Sequence, residues 1–136
     1  MLNVKFEGEY DAERNIVFLK YINKPVTFED VDFWASESER LWRMGEQNKV
    51  WGITDISQMG MASPKLVSYY HKKLSEIVDK YLIDFCVICD KALERIAAQL
   101  FNILMREKHP IFRTMDEAVD WTIKEQEARG RFIPLE

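Results

Sequence analysis

The first residues alternate: Val4, Phe6 and Tyr10 are separated by Lys5, Glu7 and Glu9, the period-two pattern of a strand with one buried face. Residues 11–15, Asp-Ala-Glu-Arg-Asn, are polar and turn-prone. Residues 16–22 form a second β-rich run, so the two segments pair most simply as an antiparallel hairpin. Asn23-Lys24-Pro25 closes the strand, and from Thr27 the period changes. Phe28, Val31, Trp34, Ala35, Leu41, Trp42 and Gly45 recur at steps of three and four, predicting an amphipathic helix that runs to about residue 47 or 48. The Thr27 hydroxyl is placed to cap its first amides, and Asp30 adds negative charge at the positive helix end.

Residues 50–63, VWGITDISQMGMAS, occupy the centre of the pattern. Trp51, Ile53 and Ile56 mark a compact apolar strand, Asp55 and Ser57 a turn, and Ser63-Pro64 a helix start. Proline at the first helical position sacrifices no intrahelical bond, because that amide has no partner there in any case. The helix is predicted over residues 64–81, with Leu66, Val67, Tyr70, Leu74, Ile77, Val78 and Tyr81 on one face. Residues 83–89 are a continuous apolar run, as expected for a strand covered on both sides. A third helix over residues 91–108 carries Leu93, Ile96, Ala97, Leu100, Phe101 and Leu104 inward and stops before Pro110. Residues 111–113 make a short last strand. Thr114 and Glu117 form a capping box for a final helix, with Met115, Ala118, Val119 and Thr122 inward and an end near Gly130. Residues 131–136 read as a tail, and the terminal Leu135-Glu136 has the form of a cloning scar.

These elements predict an α/β fold in a single domain over residues 1–130. A mixed sheet of about five strands begins with the antiparallel hairpin, continues as successive β-α units and carries four main helices. A length of 136 residues suits one core. No apolar run reaches the roughly 18 residues of a membrane span, and the start lacks the basic-then-apolar layout of a signal peptide. A cytoplasmic location is therefore expected. The net charge of -4, with lysine and arginine dispersed among the acids, argues against nucleic acid as the main partner.

Cys86 and Cys89 have CxxC spacing, but they lie in an apolar strand where residues three apart point to opposite faces, so buried structural thiols are expected. Asp55 and Asp90 lie at carboxyl ends of presumed parallel strands and could share a hard cation, yet aspartate is favoured there for turns and caps. No nucleophile elbow, phosphate-binding glycine loop or HExxH motif is present, and no cofactor or metal is expected. His109 before Pro110 suits a helix end better than catalysis. Because ligands of open α/β sheets sit beyond the carboxyl ends of strands, Asp55, Ser57, Met59, Gly60, Met61, Ser63 and Lys65 form the candidate binding loop. The aromatic residues Trp34, Trp42 and Tyr70 either pack on the sheet or line an apolar ligand cavity. The lysines of the 64–81 helix either hold an anionic partner or are a solvated face.

With this element order, the strand and loop VWGITDIS, the helix start SPKLV and the ending IFRTMDEAVDWTIKE, the chain resembles the STAS family of sulfate transporters and anti-sigma-factor antagonists. The likeness extends to its stand-alone bacterial, STAS/SEC14-like branch. The resemblance implies a non-enzymatic binding module whose loop and helix start meet a protein partner. In that family a kinase phosphorylates the serine of an Asp-Ser pair at the helix start. Here the corresponding positions read Ser63-Pro64, which removes that serine and leaves Ser63 and Ser57 as candidate modification sites, with a plain N-cap as the alternative for Ser63. The SEC14-like side implies a small apolar ligand such as a lipid, matching the flexible Met59 and Met61. A homodimer is compatible with the aromatic surplus.

Overall fold

The computed structural model describes residues 3–60, 62–92, 94–95 and 109–136. Strands β1 (Phe6–Asp11) and β2 (Ile16–Tyr21) form the expected antiparallel hairpin. Helix α1 (Phe28–Trp42) leads to β3 (Asn48–Asp55), and α2 (Pro64–Tyr81) leads to β4 (Leu82–Ile88). Strand β5 (Ile111–Phe112), α3 (Met115–Arg129) and β6 (Ile133–Pro134) complete the described elements. Ala92, Glu94 and Arg95 are helical, but most of the helix expected over residues 91–108 lies outside the described residues.

The sheet order is β1-β2-β3-β4-β5, parallel from β2 onward. The helices cover it from both sides, and the period of two assigns side chains to each layer. Val17, Leu19 and Val50 meet Ala35, Leu41, Trp42 and Leu74 on the α1/α2 side. Ile16, Trp51, Ile53, Cys86 and Ile88 meet Ala118 on the α3 side. Each fully buried Val or Ile contributes about 1.5–3 kcal/mol against an exposed one. One register shift interrupts the alternation, since Val50 lies opposite Leu82 while Trp51 lies opposite Asp84. The extra residue, Ile83, turns to the α3 side and lets Leu82 and Phe85 both reach the α1/α2 layer.

The caps follow the local sequence. Thr27 and Asp30 make a full capping box, and Ser63 Oγ accepts from the Leu66 amide at 3.3 Å. Thr114 Oγ1 accepts from the Glu117 amide at 3.2 Å but makes only half of the expected capping box, because the Glu117 carboxylate accepts the Thr114 hydroxyl instead of its amide. Several expectations need correction. Helix α1 ends at Trp42; residues 43–45 tighten into a 3-10 turn and Glu46 takes φ 58°, which reverses the chain before β3. Phe28 and Met115 were expected inward but are 43% and 42% exposed. Both sit in the first turn of their helices, where no preceding turn covers the ring or thioether, and Met115 lines an open groove beside Phe18. The expected tail supplies β6, which pairs antiparallel with the start of β3. Leu135 donates its amide to the Gln47 carbonyl at 2.8 Å and packs on the α1/α2 core.

Candidate functional site

Strand β3 is central, so its carboxyl end opens in the middle of the sheet's edge, and the chain from Ile56 to Ser63 crosses that opening to reach α2. Asp55 accepts the Ser57 amide at 2.9 Å, a local Asx turn. Ser57 Oγ in turn accepts the Asp90 amide at 3.0 Å, tying the loop to the end of β4. These bonds bring Asp55, Ser57 and the Asp90 backbone together and give the Asp55 carboxylate a structural task. Among the described residues no cluster of three or more His, Cys, Asp or Glu could hold a metal ion.

The Ile56 amide reaches the Ile88 carbonyl at 2.9 Å, and the Met59 amide closes on the Ile56 carbonyl at 3.1 Å. Gly60 then takes φ 76°, a backbone region where a side chain would be strained. The loop is thus held at its base and turned outward at its tip. Met59 is half-buried against the cluster of Val4, Tyr21 and Trp34. Met61 lies outside the described residues. Ser63 and Lys65 are exposed at the start of α2.

A neighbouring surface group was not legible from the loop. Lys65 Nζ lies 5.5 Å above the exposed Phe28 ring, and Phe28 meets Tyr69 edge-on with centroids 4.7 Å apart. Tyr69 donates its hydroxyl to Asp32 at 2.8 Å, and Lys73 lies 3.3 Å from the same carboxylate. The Tyr69 hydrogen bond, with Lys73 adding to it, holds the Asp32 carboxyl below the usual range. The available signal was the adjacency of Phe28 to its cap: a residue in the first turn gets less cover than periodicity implies.

Of the candidate cavity residues, the structure joins two directly. Trp34 stacks on Tyr21 with centroids 4.3 Å apart and meets Tyr70 edge-on at 5.8 Å. The Tyr21 and Tyr70 hydroxyls hydrogen-bond to each other, and burial pushes both phenols up, Tyr70 strongly. Trp42 belongs to the adjoining cluster with Val17 and Leu41, which Tyr70 also touches. Elsewhere, Cys86 and Cys89 are free and buried. Cys86 faces Ala118 and Thr122 of α3, and burial pushes its thiol up to about 12, so it stays protonated. His109 stacks on Phe85 at 3.7 Å and lies 3.7 Å from Asp84.

The architecture has a solved counterpart. An uncharacterised protein of the DUF3478 family from Shewanella loihica PV-4, described as having a SpoIIAA-like fold, superposes with a TM-score of 0.63 at 17% identity, covering 90% of this chain and 95% of its own. The fold is SpoIIAA-like. That is the fold of STAS domains and anti-sigma-factor antagonists, so the likeness read from the sequence holds for the architecture. No protein-family profile and no curated protein matches the chain. Within the SpoIIAA-like frame, the β3–α2 loop and the start of α2 occupy the carboxyl edge of the central strand. Among the described residues no helix is long and apolar enough to cross a membrane.

Proposed function

We propose that the protein is a non-enzymatic regulatory module of the STAS type that engages a protein partner through the 56–65 loop and the start of α2. The observation that carries this reading is the combination of a tethered loop base and exposed residues beyond it: Asp55, Ser57 and the Asp90 amide fix the root, while Gln58, Ser63 and Lys65 are exposed, Lys65 beside the exposed Phe28. Such a surface is preorganised, so docking costs little additional ordering. The SpoIIAA-like fold supports a binding role over catalysis. Ser63 remains a candidate phosphorylation site because its hydroxyl is exposed at a helix N-terminus, where phosphate is electrostatically favoured. Ser57 is the weaker candidate: both hydroxyls accept a backbone amide, but Ser57 is half-buried and holds the neighbouring strand end, whereas Ser63 is exposed.

The test compares affinity capture by the wild type with capture by a Gln58→Glu/Lys65→Glu variant whose thermal melting is unchanged. A protein that co-purifies with the wild type and is lost with the variant supports the reading. Identical capture by both overturns it.

A reading as carrier of an apolar ligand that bears a hydrogen-bond acceptor, such as a lipid carbonyl, keeps one observation in its favour: the Trp34 indole N–H is buried with no hydrogen-bond partner among the described residues. Native mass spectrometry of gently purified protein decides it. An apolar molecule released on denaturation supports a carrier, and reproducible absence of any adduct counts against one.

A further inference from the structure

Strand β1 forms an edge of the sheet, with β2 as its neighbour. The bond from the Ile22 amide to the Lys5 carbonyl, 2.9 Å, sets the phase of the antiparallel ladder. Lys5, Glu7 and Glu9 direct their backbone groups toward β2, so the amides and carbonyls of Phe6, Gly8 and Tyr10 point away from it. No proline, lysine or bulge interrupts this strand, although those are common devices for blunting an edge.

Grooves flank the strand on both sides. On the α3 side, Phe18, Val119 and Met115 floor a groove of about 660 Å³ rimmed by the carboxylates of Glu9, Asp116 and Asp120. On the α1 side, Phe6, Gly8, Phe33 and Leu41 supply the apolar wall of a second, mixed groove. Leu41 lies over Gly8, where it leaves no room for a Cβ. The charges of the two sides differ in how they are used. Arg14 is held by Asp11 at 2.6 Å and lies over the Phe18 ring at 5.4 Å, Lys20 stands opposite Glu7, and Arg40 is paired with Glu37. Among the described residues no ion pair holds Glu9, Asp116 or Asp120.

We infer that the β1 edge, together with the Glu9–Asp116–Asp120 groove, docks an extended peptide segment in which apolar and basic residues alternate. The peptide backbone pairs with Phe6, Gly8 and Tyr10 and extends the sheet by one strand. Its apolar side chains fall on the α1 side against Phe6, Phe33 and Leu41. Its lysine or arginine side chains fall on the α3 side, where Glu9 is nearest and Asp116 and Asp120 lie beyond, over the face on which Arg14 already stacks. A second copy of β1 is a poorer occupant, because antiparallel pairing centred on Gly8 sets Glu7 opposite Glu9 twice, and like charges directly opposite are destabilising. The surface meets the 58–65 tip at Gln58 alone, which lines the α1-side groove, and it does not depend on the reading given for that tip.

The test uses fluorescein-labelled octapeptides of alternating valine and lysine, read by anisotropy, with a valine–glutamate peptide and a backbone N-methylated valine–lysine peptide as controls. The valine–lysine peptide is expected to bind saturably and to slow hydrogen exchange at Phe6, Gly8 and Tyr10. Charge reversal in a Glu9→Lys/Asp120→Lys variant with unchanged melting, or N-methylation of the bonding edge of the peptide, is expected to weaken binding at least about tenfold. Equal binding of the glutamate peptide, an unaffected variant, or no saturable binding up to millimolar peptide overturns the proposal. Concentration-dependent protection of the same amides without peptide would assign the edge to a second copy and overturn it as well.

Discussion

The two ends of β3 are built differently. At its start, the fully buried Asn15 accepts the Tyr10 hydroxyl at 2.8 Å and donates to the carbonyls of Lys49 at 2.9 Å and Arg131 at 2.6 Å. Trp51 Nε1 donates to the Gly130 carbonyl at 3.2 Å, and Gln126 Nε2 to the Arg14 carbonyl at 2.6 Å. Hairpin turn, β3, the end of α3 and the last segment are thereby closed into one knot of segments far apart in sequence. At the other end of β3, Asp55 and Ser57 make one local bond and one bond to the neighbouring strand end, and Gln58, Ser63 and Lys65 are exposed while Met59 is half-buried. Stability is concentrated where the strand begins and accessibility where it ends, the division expected of an open α/β sheet that binds at its carboxyl edge.

The largest effect is expected from breaking the closed end. Asn15→Ala removes a buried acceptor and two buried donors and leaves their partners unpaired; it should destabilise the protein by about 3 kcal/mol in urea unfolding. A loss below about 1 kcal/mol would show that the knot does not depend on its side chain.

A smaller effect is expected at Asp30, which anchors the carboxyl edge beside the open loop. Burial opposes ionisation of this carboxyl, but hydrogen bonds from the amides of Asn3, Val26 and Thr27 outweigh it and hold the group below its ordinary value of 3.8. Asp30→Ala should cost about 2 kcal/mol. Because the native pKa is lowered, the contribution of the carboxylate is fully present above about pH 4 and disappears as pH falls through the native value. The stability gap between wild type and Asp30→Asn should therefore close on acidification below 3.8. A gap independent of pH in that range would exclude the ionised carboxylate as the source.

The smallest effects belong to the open end. Ser57→Ala and Ser63→Ala each remove one hydrogen bond at a partly or fully exposed position, and each should cost about 1 kcal/mol or less in thermal or urea unfolding. If Ser57→Ala matched Asn15→Ala, the loop would be part of the rigid frame and the contrast between the two ends would fail.

Much of the frame was legible because it depends on neighbours in sequence. The helix at Pro64–Tyr81 matches its predicted bounds, since Ser63 and Pro64 set the start and the apolar face spans the whole element. The β3–α2 loop was recognised as a candidate site from strand-to-helix order, and the bond from Asp90 to Ser57 reinforces its base. The Phe28–Tyr69–Lys65 group was missed because Phe28 fits the helical stripe, and only the packing of α1 against α2 decides that its ring meets Tyr69 and Lys65 at the surface instead of the core. Asn15 was read as a polar turn residue. Its φ of 56° suits that reading, but its burial depends on Arg131, which is 116 positions away.

Taken alone, the amino-acid sequence determined the order of the elements from β1 to β4 and of β5 and α3, the hairpin, the mixed α/β class and the capping residues Thr27, Ser63 and Thr114. Each is set by periodicity or by bonds spanning a few residues. Only the tertiary structure decided that Ile133–Pro134 pair with the start of β3 as β6, that Asn15 and Asp30 are buried anchors, that Ile83 is the extra residue of a bulge, and that Phe28 and Met115 stand exposed. Those outcomes depend on which distant segments share a layer, and the local pattern of polar and apolar positions carries no information about where a layer ends.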